Sequence, residues 1–157
     1  MISIFLPAVL AMTQAQPVVH EFDFWVGDWD IKTETRPDPR KEEWTNNTGK
    51  NHVEKILGSE VVQENFTGPN LVGKSWSAYD SVAKVWRQTW VDNQGGYISL
   101  DGKFENGVMT LYTTPNMSGR KYRMVYQDIQ TDSFLWKWEV QMKDGKWAPM
   151  FICHYTR

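Results

Sequence analysis

The chain has a single cysteine, Cys153, which excludes an intramolecular disulfide framework and a cysteine-built zinc site. It also lacks a basic excess. Seventeen Lys and Arg stand against 19 Asp and Glu, a formal charge of −2, whereas nucleic-acid binders carry a cationic patch or stripe. No apolar run approaches the roughly 20 residues that carry a helix across a bilayer. Long amphipathic helices, repeats of solenoid length and low-complexity tracts are missing as well. So are a phosphate-cradling Gly loop, a nucleotide motif and a Ser/His/Asp ordering. What remains is 157 residues, room for one domain. Its composition, 41% hydrophobic and 23% charged, excludes wholesale disorder. Nine Trp, six Tyr and seven Phe make 14% of the chain aromatic. That supply must line or fill something apolar.

Residues 1–12 are apolar and residues 13–17 small or polar, and two readings are open for 1–17. One is a secretory signal cleaved after Ala15, which lacks the expected basic start and is interrupted by Pro7. The other is a short helix or arm packed on the domain. The second reading goes with a cytoplasmic protein, the first with a secreted one. Asn46, Asn65 and Asn116 each open an N-x-[ST] triplet, too common by chance to decide the compartment. Residues 18–157 read as the domain itself.

From Trp25 onward, short strand-like runs are punctuated by turn residues, at about 25–36, 50–57, 60–67, 73–80, 85–92, 96–104, 108–114, 120–129, 134–142 and 147–156. Ten such runs predict an all-β fold. Residues 36–50 form the one long loop. Asn106-Gly107 and Asp144-Gly145 are type I′ signals and Gly58-Ser59 fits type II′. Each two-residue turn then sets which side chains share a face. Around Asp144-Gly145, Trp147, Trp138, Phe151, Trp136, Cys153 and Tyr155 fall together, opposite Lys137, Glu139 and His154. Around Asn106-Gly107, Ile98, Leu100, Phe104, Met109 and Leu111 share a side. Trp86, Gln88 and Trp90 alternate with Arg87, Thr89 and Val91. A sheet of ten strands with one apolar face must curl or split to bury it, as a barrel or a sandwich, and closure into a barrel is the simpler answer. We expect a single antiparallel up-and-down β-barrel of about ten strands.

The segment Gly27-Asp28-Trp29 at the first strand resembles the G-x-W start of lipocalins and their calycin relatives. Tyr79-Asp80, Trp90-Val91-Asp92, Gly96 and Leu100-x-Gly102 resemble an uncharacterised bacterial-type family of lipocalin-like domains. The second and third lipocalin motifs are missing, and ten strands exceed the lipocalin eight. The resemblance implies a barrel whose Trp29 plugs the closed end beneath Arg157, with a tendency to hold a small apolar molecule. It implies no reaction.

Three sites are open to chemistry. The inner aromatic set of Trp76, Trp86, Trp90, Trp136, Trp138, Phe151 and Tyr155, with Gln88 among them, either lines a ligand cavity or simply fills the barrel. Trp is a poor filler unless its N–H finds a partner, which favours a cavity. The Gly58-Ser59 hairpin puts His52 and Glu54 beside Gln63 and Asn65, a candidate base with an orienting carboxylate or else a solvated face. Its other face carries Val53, Lys55, Leu57, Val62, Glu64 and Phe66. Third, some small barrels bind haem through a His near the C-terminus, but register puts His154 on the side away from the aromatics. His20, His52 and His154 lack metal-motif spacing, and no metal or cofactor is expected.

The leading expectation is therefore a barrel that binds a small hydrophobic or aromatic ligand. The alternatives are a small barrel enzyme (isomerase, cyclase or hydrolase) acting on an apolar intermediate, and haem binding. For the enzyme, His52 with Glu54, or Tyr79, Asp92 or Arg123, would have to converge on the cavity. Arg123 sits in a run whose alternation leaves its face open. A homodimer is compatible with the sequence; nucleic acid and a membrane span are not expected.

Overall fold

The computed structural model describes residues 19–115 and 119–157. The 1–17 segment and the Asn116 triplet lie outside the described residues. After a 3-10 turn, Asp23–Trp25, ten strands follow: β1 Gly27–Thr35, β2 Thr45–Ile56, β3 Val61–Thr67, β4 Val72–Asp80, β5 Val85–Asp92, β6 Tyr97–Glu105, β7 Val108–Thr113, β8 Tyr122–Gln127, β9 Ser133–Gln141 and β10 Trp147–Thr156. Each pairs antiparallel with its neighbour in sequence, and β1 pairs with β10 to close the barrel. The expected up-and-down architecture is the one observed.

The expected long loop is shorter than residues 36–50. β2 starts at Thr45, because all nine residues of β1 need ladder partners and residues 45–53 supply them, from Thr35–Thr45 to Gly27–Val53. Their polarity hid the strand: residues 45–50 carry no apolar alternation.

Register follows the turns in two of three hairpins. Asn106 and Gly107 both take positive φ, the type I′ geometry, and Phe104 faces Met109 as expected. The β2–β3 register is also as expected, although Leu57 lies in the turn at 75% exposure instead of on the core face. The Asp144 hairpin differs. Only Gly145 is left-handed, and Met142 bonds to Lys146, a three-residue loop that slips the ladder by one. Between Pro149 and Phe151 a bulge slips it back, so Phe151–Trp138 and Cys153–Trp136 pair as the sequence predicts. Between the two slips, Trp147 is turned to the outside. There it packs at a tilt against Tyr112, and the Arg123 guanidinium lies 4.3 Å from its ring centre.

One end of the barrel is stopped by aromatics. Phe22 meets Trp86 edge-on at 4.9 Å, Trp29 meets Phe134 at 5.0 Å, and Phe134 stacks on Tyr155 at 4.2 Å. Trp29 is 2% exposed and donates to the Trp25 carbonyl. Arg157 lies 4.2 Å over its ring and donates to the Val26 and Thr131 carbonyls. A guanidinium so held caps the end through cation–π attraction and strand-to-loop hydrogen bonds together.

Between β6 and β7, Gly102 faces Leu111, and a Cβ there would run into the Thr110 carbonyl oxygen. Gly102→Ala should therefore cost about 1–3 kcal/mol through forced strand separation, read as a lower urea midpoint with an unchanged slope.

Candidate ligand cavity

Inward positions on β4 are small: Gly73, Ser75 and Ser77 are all buried. Space that larger side chains would fill is left opposite them. Trp90 lies across Gly73 so closely that a Cβ there would meet its six-membered ring. Beyond the aromatic plug, the barrel holds a cavity of about 180 Å³. Its walls are mainly aromatic and aliphatic, with Trp90, Trp136, Trp138 and Phe151 the largest. Phe66, Leu71 and Asp92 lie toward the end carrying the β3–β4 and β5–β6 turns, which makes that end the mouth.

The inner end is polar. Glu64 lines the cavity at 6% exposure, between Val62 and Phe66 on the inward face of β3. Asn51 donates to one carboxylate oxygen at 2.7 Å and Ser75 to the other at 2.6 Å. The Asn51 amide also reaches the Tyr155 hydroxyl at 3.1 Å. Gln88 donates to Ser77 at 2.9 Å, and more loosely to Ser75 and Tyr126. The carbonyl oxygens of Asn51 and Gln88 are buried without a hydrogen-bond partner. At the mouth, Asp92 accepts from the Trp90 indole at 2.9 Å and from the backbone of Gln94 and Gly96.

The sequence-derived site divides. Trp90, Trp136, Trp138, Phe151 and Tyr155 line the cavity, and Gln88 sits in the polar cluster behind it. Trp86 points inward but belongs to the plug, where its indole donates to Glu21 and Tyr79 packs on its ring. Trp76 is a correction: it stands on the outer face, 36% exposed, donating to Gln63. The pleat requires this, since Ser75 and Ser77 on either side of it face inward.

The histidines are all outside. His52 bonds to Asp28, His154 to Glu34 and His20 to Asp23, and Glu54 accepts from Gln63 on the same outer face. His52 and Glu54 thus do not converge on the cavity. Arg123 also points outward, bonded to Glu139 at 2.6 Å. Missed by sequence reasoning were Glu64, Asn51 and Ser75. The signal was present, because Glu64 alternates with Val62 and Phe66, and Asn51 lies two residues before Val53.

A family model described as a protein of unknown function, DUF1579, matches residues 16–157. The chain belongs to the DUF1579 family. No curated protein is detectably similar to it. Among solved structures, this DUF1579 chain is similar to Rv2717c from M. tuberculosis at 8% identity and a TM-score of 0.60, over 89% of this chain and 98% of that one. Such identity shows a shared fold alone. A protein of unknown function from the DUF3598 family of Nostoc punctiforme aligns at 7% identity over 88% and 98% of the two chains, with a TM-score of 0.28, and carries no argument.

Electrostatically, the DUF1579 cavity is unusual in holding a carboxylate with no cation beside it. Burial pushes the Glu64 carboxyl up to about 7, against the partial relief of the Ser75 and Asn51 hydrogen bonds. Burial, with the Glu64 charge nearby, also pushes up the Tyr126 and Tyr155 phenols and the Cys153 thiol. Asp92 behaves oppositely: burial raises it, but the Trp90, Gly96 and Gln94 donors outweigh that and hold it below the ordinary value.

The sign for folding follows. The unfolded chain releases the Glu64 proton near its ordinary 4.5, the folded one near 7. Stability is therefore fullest below the first value and is lost as pH rises through the second, by about 3 kcal/mol in all. Glu64→Gln removes this loss. Urea melts of the two proteins between pH 4 and pH 8 should give a stability difference that changes by about that amount; parallel curves would mean an ordinary carboxyl.

Proposed function

We propose that residues 18–157 form a calycin-like domain that binds a small hydrophobic or aromatic ligand inside the barrel. The observation that carries this reading is the cavity of about 180 Å³ walled by indoles and Phe151. A dry apolar cavity of about 150 Å³ already accommodates benzene, so the hollow suits one ring or a short chain. The plugged end, with Arg157 over Trp29, supports the lipocalin-like comparison, and the open end provides entry. An acid–base enzyme is the second reading, and what favours it is Glu64, which can hold or release a proton near neutrality inside an apolar site. Haem held by histidine has no support, since among the described residues no histidine lines the cavity.

Bromobenzene tests the reading, because its bromine quenches the indoles it touches. At ten times its Kd it should add about 1.4 kcal/mol to stability, a Tm rise of roughly 3–6 °C, and quench emission from Trp90, Trp136 and Trp138. Cys153→Phe, which fills the hollow, should abolish both effects. Neither stabilisation nor quenching by any single-ring apolar compound would refute interior binding.

A further inference from the structure

The polar end of the cavity has a consistent character: acceptors outnumber donors, and positive charge is missing. Two carboxylates, Glu64 and Asp92, are in its lining, and no Lys, Arg or His is. Glu64 receives two hydrogen bonds, both from neutral groups, while an ionised carboxylate has about four acceptor positions. The buried Asn51 and Gln88 carbonyl oxygens beside it are unpartnered acceptors too. The cations nearest in sequence are engaged elsewhere, Lys50 with Asp30 on the outer face and the inward-side Lys55 with Asp23 at the plugged end. The cavity walls include the indoles of Trp90, Trp136 and Trp138, whose ring faces attract cations.

From this we infer that the cavity takes a small organic cation, an amine carried on one aromatic ring or a short alkyl chain, with its ammonium group against Glu64 and its apolar body between Trp90, Trp138 and Phe151. The inference rests on the interior-binding reading and names the ligand class. An ammonium supplies the counter-charge and the donors that the site lacks, and a charge-assisted hydrogen bond in a dry site is stronger than a neutral one. A carboxylate ligand would meet two like charges and no compensating cation. A hydroxyl would satisfy one acceptor and leave the charge unpaired. The hollow admits about one ring and a short arm, so the body fills the aromatic part only when the head reaches Glu64.

Binding of a cation requires Glu64 ionised. The titratable groups facing it are Tyr126 on β8 and Cys153 and Tyr155 on β10, all pushed up and neutral from pH 6 to 8, with Asp92 of β5 at the mouth ionised throughout. The inward residues of the other neighbours, Asn51 on β2, Ser75 on β4 and Gln88 on β5, do not titrate. Over that interval the pH dependence belongs to Glu64.

Calorimetric titration of the full chain with 2-phenylethylamine, 2-phenylethanol and 3-phenylpropanoate provides the test. At pH 8 the amine should bind at least about tenfold tighter than the alcohol, and the propanoate weakest. At pH 6 the amine should weaken by roughly tenfold while releasing close to one proton, seen as a dependence of the heat on buffer. In Glu64→Gln the amine should lose its advantage over the alcohol. If that variant does not fold, the proton release and pH dependence of the unaltered protein still decide. Equal affinity for amine and alcohol, or preference for the propanoate, would overturn the cation assignment and leave interior binding standing. Failure of all three to bind while bromobenzene still binds would overturn the cation assignment alone, and failure of bromobenzene as well would remove the interior-binding reading with it.

Discussion

A closed sheet has one interior, and every second residue of ten strands must share it. Eight strands give a lumen that side chains just fill, and ten give a wider one. Here the interior is divided. The turn before β1 sends Phe22 and Trp25 up into one end, where they meet Trp86 and Tyr126, while Trp29 meets Phe134 and Arg157, just past the last strand, covers Trp29. The other end has no such plug, and β4 offers it only Gly73, Ser75 and Ser77. The cavity is the difference between the two ends. Were β4 to carry leucines at those positions, the Trp90 ring could not lie where it does, and the polar residues behind it would lose Ser75 and Ser77 as partners.

The polar cluster is costly to folding. A carboxylate taken from water into an apolar site loses several kcal/mol even when hydrogen-bonded, and replacing such groups by apolar ones of similar size is often neutral or stabilising. Glu64 nevertheless sits among Asn51, Ser75 and Tyr155 with two of its acceptor positions answered and no counter-ion. The surrounding side chains orient the carboxylate without neutralising it. Fold stability alone does not ask for that arrangement, whereas a site that must receive a charged or proton-donating group does. The outer face shows the contrast: Arg123 with Glu139, and Arg87 with Asp80 and Asp101, are paired charges on the barrel wall.

Much of the fold was legible because alternation and turn chemistry are local. Asn106-Gly107 set its ladder correctly, and the inward placement of Leu100, Met109 and Leu111 followed from it. The Asp144 hairpin was legible only by cancellation. A loop one residue longer than expected and a bulge at Met150 offset each other, so the inner Trp136–Cys153 pair was right and Trp147 was not. Both slips do have a local signal: Gly145 is the one left-handed residue of the three-residue loop, and Pro149, which cannot donate to a ladder, stands at the bulge. Hydrophobicity alone favours the interior for Trp76, but the pleat between buried Ser75 and Ser77 turns it outward. Glu64 was overlooked for the same reason reversed: a charged residue on a core-facing strand reads as a defect unless one asks what it faces.

That oversight shows where the function-bearing information resides. The indoles give the hollow its walls and set what size of body fits, but walls of this kind accept almost any apolar ring. Discrimination comes from the few groups that an ill-matched ligand would leave unpaired, because stranding a buried charge costs more than losing an apolar contact. In this cavity those groups are Glu64 and, at the mouth, Asp92. On the proposed reading, aromatic residues would decide whether a molecule enters, and the carboxylates which molecule stays. The composition announces the first property through its nine tryptophans. The second depends on one glutamate among nineteen acidic residues, distinguished from the rest only by the direction in which its strand points it.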